Sequence, residues 1–166
     1  MDRSISLKYG LMAGGSVVLY FLLFYFLDKD SIFKTWVAAV SLIPYIIFMV
    51  KAVTDQRTLQ EDIISFRDAI SVAFLTFIIA NVVYYIFYYF LMQSNPDLVE
   101  MQKQIAIEFY EKFLSGQNTE DVRQSYEGYE INLSSVFLGF ARGAIGGFIL
   151  SMLIAGLMRR GKRLKP

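Results

Sequence analysis

The run AISVAFLTFIIANVVYYIFYYFLM, Ala69 to Met92, holds twenty-four residues without one charged side chain. A helix rises about 1.5 Å per residue and a hydrocarbon core is roughly 30 Å thick, so about 20 such residues cross it. The run therefore reads as a transmembrane helix, and three others surround it. Tyr9 to Leu27, Ile32 to Val53 and Ile131 to Met158 are long and apolar enough for the same reason. The second is interrupted only by Lys34 and Lys51 near its ends, where long lysine stems reach the headgroups. The fourth carries one charge, Arg142. In lipid, backbone groups must be paired within the segment, and these runs lack the alternation of barrel strands. The expectation is an all-α polytopic membrane bundle of four transmembrane helices, a single membrane domain over residues 1–166.

Composition points the same way: the chain is 55% hydrophobic and 19% charged, well outside the mix of a soluble domain. Sixteen Lys and Arg against fifteen Asp and Glu leave no charge excess to attract nucleic acid. There is no cysteine and no histidine, which removes disulfides, thiol chemistry, the usual zinc ligands and the side chain best suited to proton transfer near neutral pH. No catalytic residue, cofactor or metal is expected. Arg3 and Lys8 precede the first apolar run, but that run is long and no small-x-small site follows it, so it reads as a retained span rather than a signal peptide.

Lys and Arg fall unevenly about the spans. Ten lie with the termini and the connection between spans two and three; five lie on the other side. The positive-inside rule then puts both termini in the cytoplasm and the segment between spans three and four outside. That outer insertion, about residues 95–130, holds three basic residues against eight acidic ones. Asn95-Pro96-Asp97 reads as a helix start, with a capping side chain, a proline at the first helical position and an acid near the positive end of the dipole. Gly116 reads as its stop. Between them Leu98, Met101, Ile105, Phe109 and Phe113 recur at helical spacing, opposite Glu100, Lys103, Gln104, Glu108 and Glu111. This amphipathic helix is net acidic, unlike most lipid-surface helices, so it is expected to pack on the bundle or on a partner. Gln117 to Glu130 reads as a short helix after Asn118 and a turn at Gly128.

LKYG at Leu7 to Gly10, ISFRDA at Ile64 to Ala69 and NPD at Asn95 to Asp97, set in this four-span layout, resemble the family known as domain of unknown function 4199, common in Bacteroidota. The resemblance implies a bacterial inner membrane and carries no catalytic or binding residues.

GFARGAIGG, Gly139 to Gly147, sets Arg142 among glycines inside the fourth span. Ser135, Gly139, Gly143, Gly147, Ser151 and Ala155 recur every four places, a row that lets another helix approach closely, within the chain or across a homodimer. Gly10 and Gly14 of the first span are a candidate counterpart. An uncompensated arginine at mid-membrane costs about 2.5–3.5 kcal/mol on the insertion scale. Three kinds of partner are at hand. Asn81 lies at similar depth on span three and shares a face with Tyr84, Tyr85 and Tyr88; Asp28 and Asp30 lie at the outer end of span one; the third is a lipid or substrate phosphate, which a guanidinium grips bidentately. Tyr88 and Tyr89, near the outer end, also suit an aromatic belt. Pro44 is a candidate kink in span two, and the basic tail from Arg159 is a topology signal or a contact with anionic lipid.

Besides the bilayer itself, the sequence favours a protein partner or a second copy, with the chain a non-enzymatic subunit or scaffold. The alternative is a lipid- or anion-binding or transport protein with an outward-facing site at Arg142. An intramembrane enzyme built on Ser16 has neither histidine nor buried carboxylate to activate it. Because the chain lacks cysteine, introduced cysteines report topology unambiguously. A membrane-impermeant maleimide on intact cells is expected to label Gln104→Cys and to leave Thr58→Cys unlabelled until the membrane is opened; the reverse pattern inverts the topology.

Overall fold

The computed structural model describes residues 2–61, 63–113 and 131–158. The expected stop at Gly116, the short helix after Asn118, the turn at Gly128 and the basic tail lie outside these residues. Five α-helices are described: α1 (Arg3–Leu27), α2 (Thr35–Leu59), α3 (Phe66–Gln93), α4 (Pro96–Phe113) and α5 (Leu133–Met158), with a 3-10 turn at Lys29–Ser31 between the first two. Four of them, α1, α2, α3 and α5, are long and apolar enough to cross a membrane. No strand occurs among the described residues.

Polar caps decide where the helices begin, beyond or short of the apolar runs. The Asp2 carboxylate accepts the Ser4 N–H at 2.8 Å and starts α1 at Arg3. Hydrogen bonding from Ser4 holds the Asp2 carboxyl below its usual range. Ser65 Oγ accepts the Asp68 N–H at 3.0 Å, which makes the ISFRDA stretch the start of α3. At α5 the capping is reciprocal: Asn132 Oδ1 accepts the Ser135 N–H at 2.8 Å and Ser135 Oγ accepts the Asn132 N–H at 3.1 Å. The NPD motif works differently from its reading in the sequence. Asn95 Nδ2 donates to the Leu91 carbonyl at 2.8 Å, and Asn95 Oδ1 accepts the Tyr25 hydroxyl at 2.7 Å. Its side chain thus ties the end of α3 to α1, while α4 begins at Pro96 and Asp97 reaches Lys29 at 3.7 Å. α2 continues through Pro44 as one helix.

α3 is the hub, in contact with each of the other four helices. It runs parallel to α1, which lays Gly10 against Thr76 and Ile79 and Gly14 against Ala80 and Val83. On its other side it runs antiparallel to α5, with Phe77, Asn81 and Tyr85 facing Gly147, Gly143 and Gly139 in turn. Gly10 and Gly14 are therefore no counterpart to the glycine row of α5; both sets of glycines face α3, from opposite sides. Close approach is possible because small residues lie at the helix contacts, beside larger buried side chains such as Met49, Met92, Tyr45 and Phe77. Ala13, Ala69, Ala73, Ala80, Ala155 and Ser151 are fully buried, whereas Phe26 is 77% exposed and Leu157 86% exposed. Large apolar side chains so widely exposed suit a bundle solvated by lipid.

The α3–α5 contact has almost no slack. A Cβ at Gly147 would lie 2.1 Å from Phe77 Cδ1, whereas one at Gly146 meets nothing within 4 Å. Gly147→Ala is expected to destabilise the protein by about 1–3 kcal/mol through overpacking. The neighbouring Gly146→Ala should be neutral or stabilising by up to about 1 kcal/mol through helix propensity. Unfolding in mixed detergent micelles measures both, and equal effects would refute the seam.

Candidate functional site

Beside the α4 end of the bundle the helices enclose a cavity of about 790 Å³, inside the range of roughly 300–1,000 Å³ typical of small-molecule pockets. α3 contributes Tyr84, Tyr85 and Tyr88, which share a face at i, i+1 and i+4. α5 contributes Ser135, Gly139 and Arg142, again one face, and α4 contributes Gln102 and Lys103. Apolar side chains, Phe21 and Phe33 among them, close the rest. Among the described residues that line it, two side chains, Lys103 and Arg142, are cationic and none is acidic.

The aromatic wall is braced from behind. The Tyr84 ring lies 5.3 Å from that of Phe21 and 5.2 Å from that of Tyr85, centre to centre. A Cβ at Gly139 would come within 3.0 Å of the Tyr85 ring and hydroxyl, so the glycine is what lets this tyrosine stand at the wall. Tyr88 donates to Gln102 Oε1 at 2.9 Å and so fastens α4 over the cavity. Its hydroxyl is thus engaged within the protein. Lys103 has a side chain 18% exposed and lines the cavity, while Glu100, 3.7 Å from its ammonium, is 62% exposed. A pair so open to the exterior is weak, about 0–1 kcal/mol, and leaves the ammonium able to meet an anion in the cavity.

Arg142 forms no hydrogen bond or ion pair with any described residue. The protein partners expected of it are otherwise placed. The Asp28 carboxylate accepts the Ser31 hydroxyl. Asn81 is 4% exposed and lies behind Gly143, its Nδ2 3.1 Å from the position of a Cβ there and without a hydrogen-bond partner. It sits one turn along α3 from Tyr85 and outside the cavity lining. The cation–π contacts among the described residues belong to Lys8 and Lys29. Arg142 is near enough to Tyr85 to act on it electrostatically. Of the polar group expected from the sequence, then, Arg142, Tyr84, Tyr85 and Tyr88 converge and Asn81 stands beside them. Of the packing row, Gly139, Gly143 and Gly147 all meet α3, and the fully buried Ser151 donates to the Gly147 carbonyl at 2.7 Å.

Two contributors were not legible in the sequence. Helical periodicity places Lys103 on the polar outer face of α4 and gives Gln102 no role, yet both line the cavity. What the arrangement offers chemically is donors: a guanidinium suited to bidentate contact with phosphate or carboxylate, an ammonium, and tyrosine hydroxyls. No cluster of metal-ligating side chains occurs among the described residues. The Ser16 hydroxyl donates to the Met12 carbonyl of its own helix at 2.8 Å.

A family model described as a protein of unknown function, DUF4199, matches residues 8–160, and the chain belongs to that family. No curated protein and no solved structure matches it.

Tyr88→Phe removes the bond to Gln102 and is expected to cost about 1 kcal/mol. Hydrogen exchange of the protein in nanodiscs should then quicken within α4 while α1 and α2 stay unchanged; unaltered exchange in α4 would mean that the bond does not hold it.

Proposed function

From its place in that family and its four membrane-spanning helices, we propose that this protein is a non-enzymatic binding protein of a bacterial inner membrane. Its cavity, open on the extracytoplasmic side, takes an anionic group between Arg142 and Lys103. The observation that carries this reading is the charge of the lining: among the described residues, two cations and no acid face a cavity of about 790 Å³. A guanidinium without a partner at membrane depth is costly by about 2.5–3.5 kcal/mol at mid-bilayer, and an anion held there offsets that cost. The orientation rests on the ten-to-five division of basic residues.

A subunit or scaffold that meets a partner protein or a second copy is the other reading. It draws on α4, whose Ile105 and Phe109 are exposed on an acidic helix. The glycine row lends it less, because α3 fills that row within the chain.

Native mass spectrometry of protein released from its own membrane separates the two. Anion binding predicts a bound anionic species on the wild type. It should be weakened roughly 10- to 100-fold in Arg142→Gln and in Lys103→Gln, the loss of one charge-assisted hydrogen bond of about 1.5–3 kcal/mol. A co-purifying protein retained by both variants, with no anionic species on the wild type, would favour the scaffold.

A further inference from the structure

We infer that the anion is the phosphate headgroup of a lipid, and that it reaches Arg142 sideways from the bilayer. This rests on the anion-binding reading and adds the class of ligand and its route. Arg142 belongs to two surfaces at once. It lines the cavity, and it is also exposed, on a side of α5 that carries apolar side chains. On that face it stands between Leu138, 51% exposed, and Ile145, 66% exposed, at i−4 and i+3. Leu138 lines the cavity too. The strip from Leu138 to Arg142 is thus both an inner wall and part of the surface that meets lipid.

Depth makes the strip a route for lipid rather than for a solute in water. Arg142 lies nine residues after the start of α5 at Leu133, about 14 Å along a helix rising about 1.5 Å per residue. Helical side chains lean toward the N-terminus, so the guanidinium inclines toward Leu138 and Ser135, along the cavity wall. A headgroup drawn in from the adjoining leaflet meets it there while its chains stay among the exposed side chains of α5. The cavity lining suits such a molecule: Phe21, Phe87, Leu91 and Val136 offer apolar surface beyond the polar contacts, more than a free phosphate would use. A phosphate diester shares one negative charge between two non-bridging oxygens, and the two cations on α5 and α4 stand on different walls where each can meet one of them.

The test uses the full chain in nanodiscs of phosphatidylcholine doped with phosphatidylglycerol, with glycerol phosphate and inorganic phosphate as water-soluble probes. Native mass spectrometry reads occupancy. The expected result has three parts. Phosphatidylglycerol binds the wild type at least tenfold more tightly than glycerol phosphate does. Leu138→Trp, which narrows the sideways route, lowers phosphatidylglycerol occupancy about tenfold and by more than it lowers glycerol phosphate binding, while Leu157→Trp, exposed on α5 and outside the cavity lining, leaves both unchanged. Arg142→Gln loses both. If glycerol phosphate or inorganic phosphate binds as tightly as the lipid and Leu138→Trp alters neither, the site takes a free anion; the lipid inference fails and the anion-binding reading stands. If no probe binds the wild type, both fail.

Discussion

The site depends on the close approach of α5 to α3. Phe77, Asn81 and Tyr85 occupy the space that Cβ atoms at Gly147, Gly143 and Gly139 would need. Without that space α5 would stand further off, and Arg142 would leave the wall it shares with Tyr84, Tyr85 and Tyr88. The same row that reads as a packing motif is thus a positioning device for a charge. Packing and site cannot be separated here, because one turn of α5 carries both Gly139 and Arg142.

Such an arrangement fits what lipid demands of a fold. With no water to drive apolar surfaces together, helices associate by close packing and by polar contacts. The bundle uses both. Small residues line α3 on two sides, and a few long-range hydrogen bonds fix the ends: Tyr9 to Asp55 at 2.6 Å, Tyr25 to Asn95 at 2.7 Å, Tyr88 to Gln102 at 2.9 Å. Each is donated by a tyrosine, so the aromatic residues of this chain are joints as well as surface.

Much of this was legible in the sequence, and the misses have physical causes. The four spans follow from the lengths of apolar runs, and Tyr84, Tyr85, Tyr88 and Arg142 could be brought together from helical spacing and depth alone. The glycines announced a close approach, but not its partner, because relative helix rotation is set by the whole bundle. Asn95 looked like a cap, yet its side chain bonds to Tyr25, seventy positions away. Lys103 was assigned outward because amphipathic periodicity assumes an apolar interior. Here the space beside α4 is a cavity rather than a packed interior, and Gln102 and Lys103 of that helix line it.

The surface of large apolar side chains has a thermal consequence. Separating these helices would expose their buried side chains, small and large, to hydrocarbon rather than to water. The heat-capacity increase that accompanies the wetting of an apolar core would then be largely missing. The stability of this bundle against helix separation should have little of the curvature with temperature that bends the stability of soluble domains, and no cold limit of hydrophobic origin.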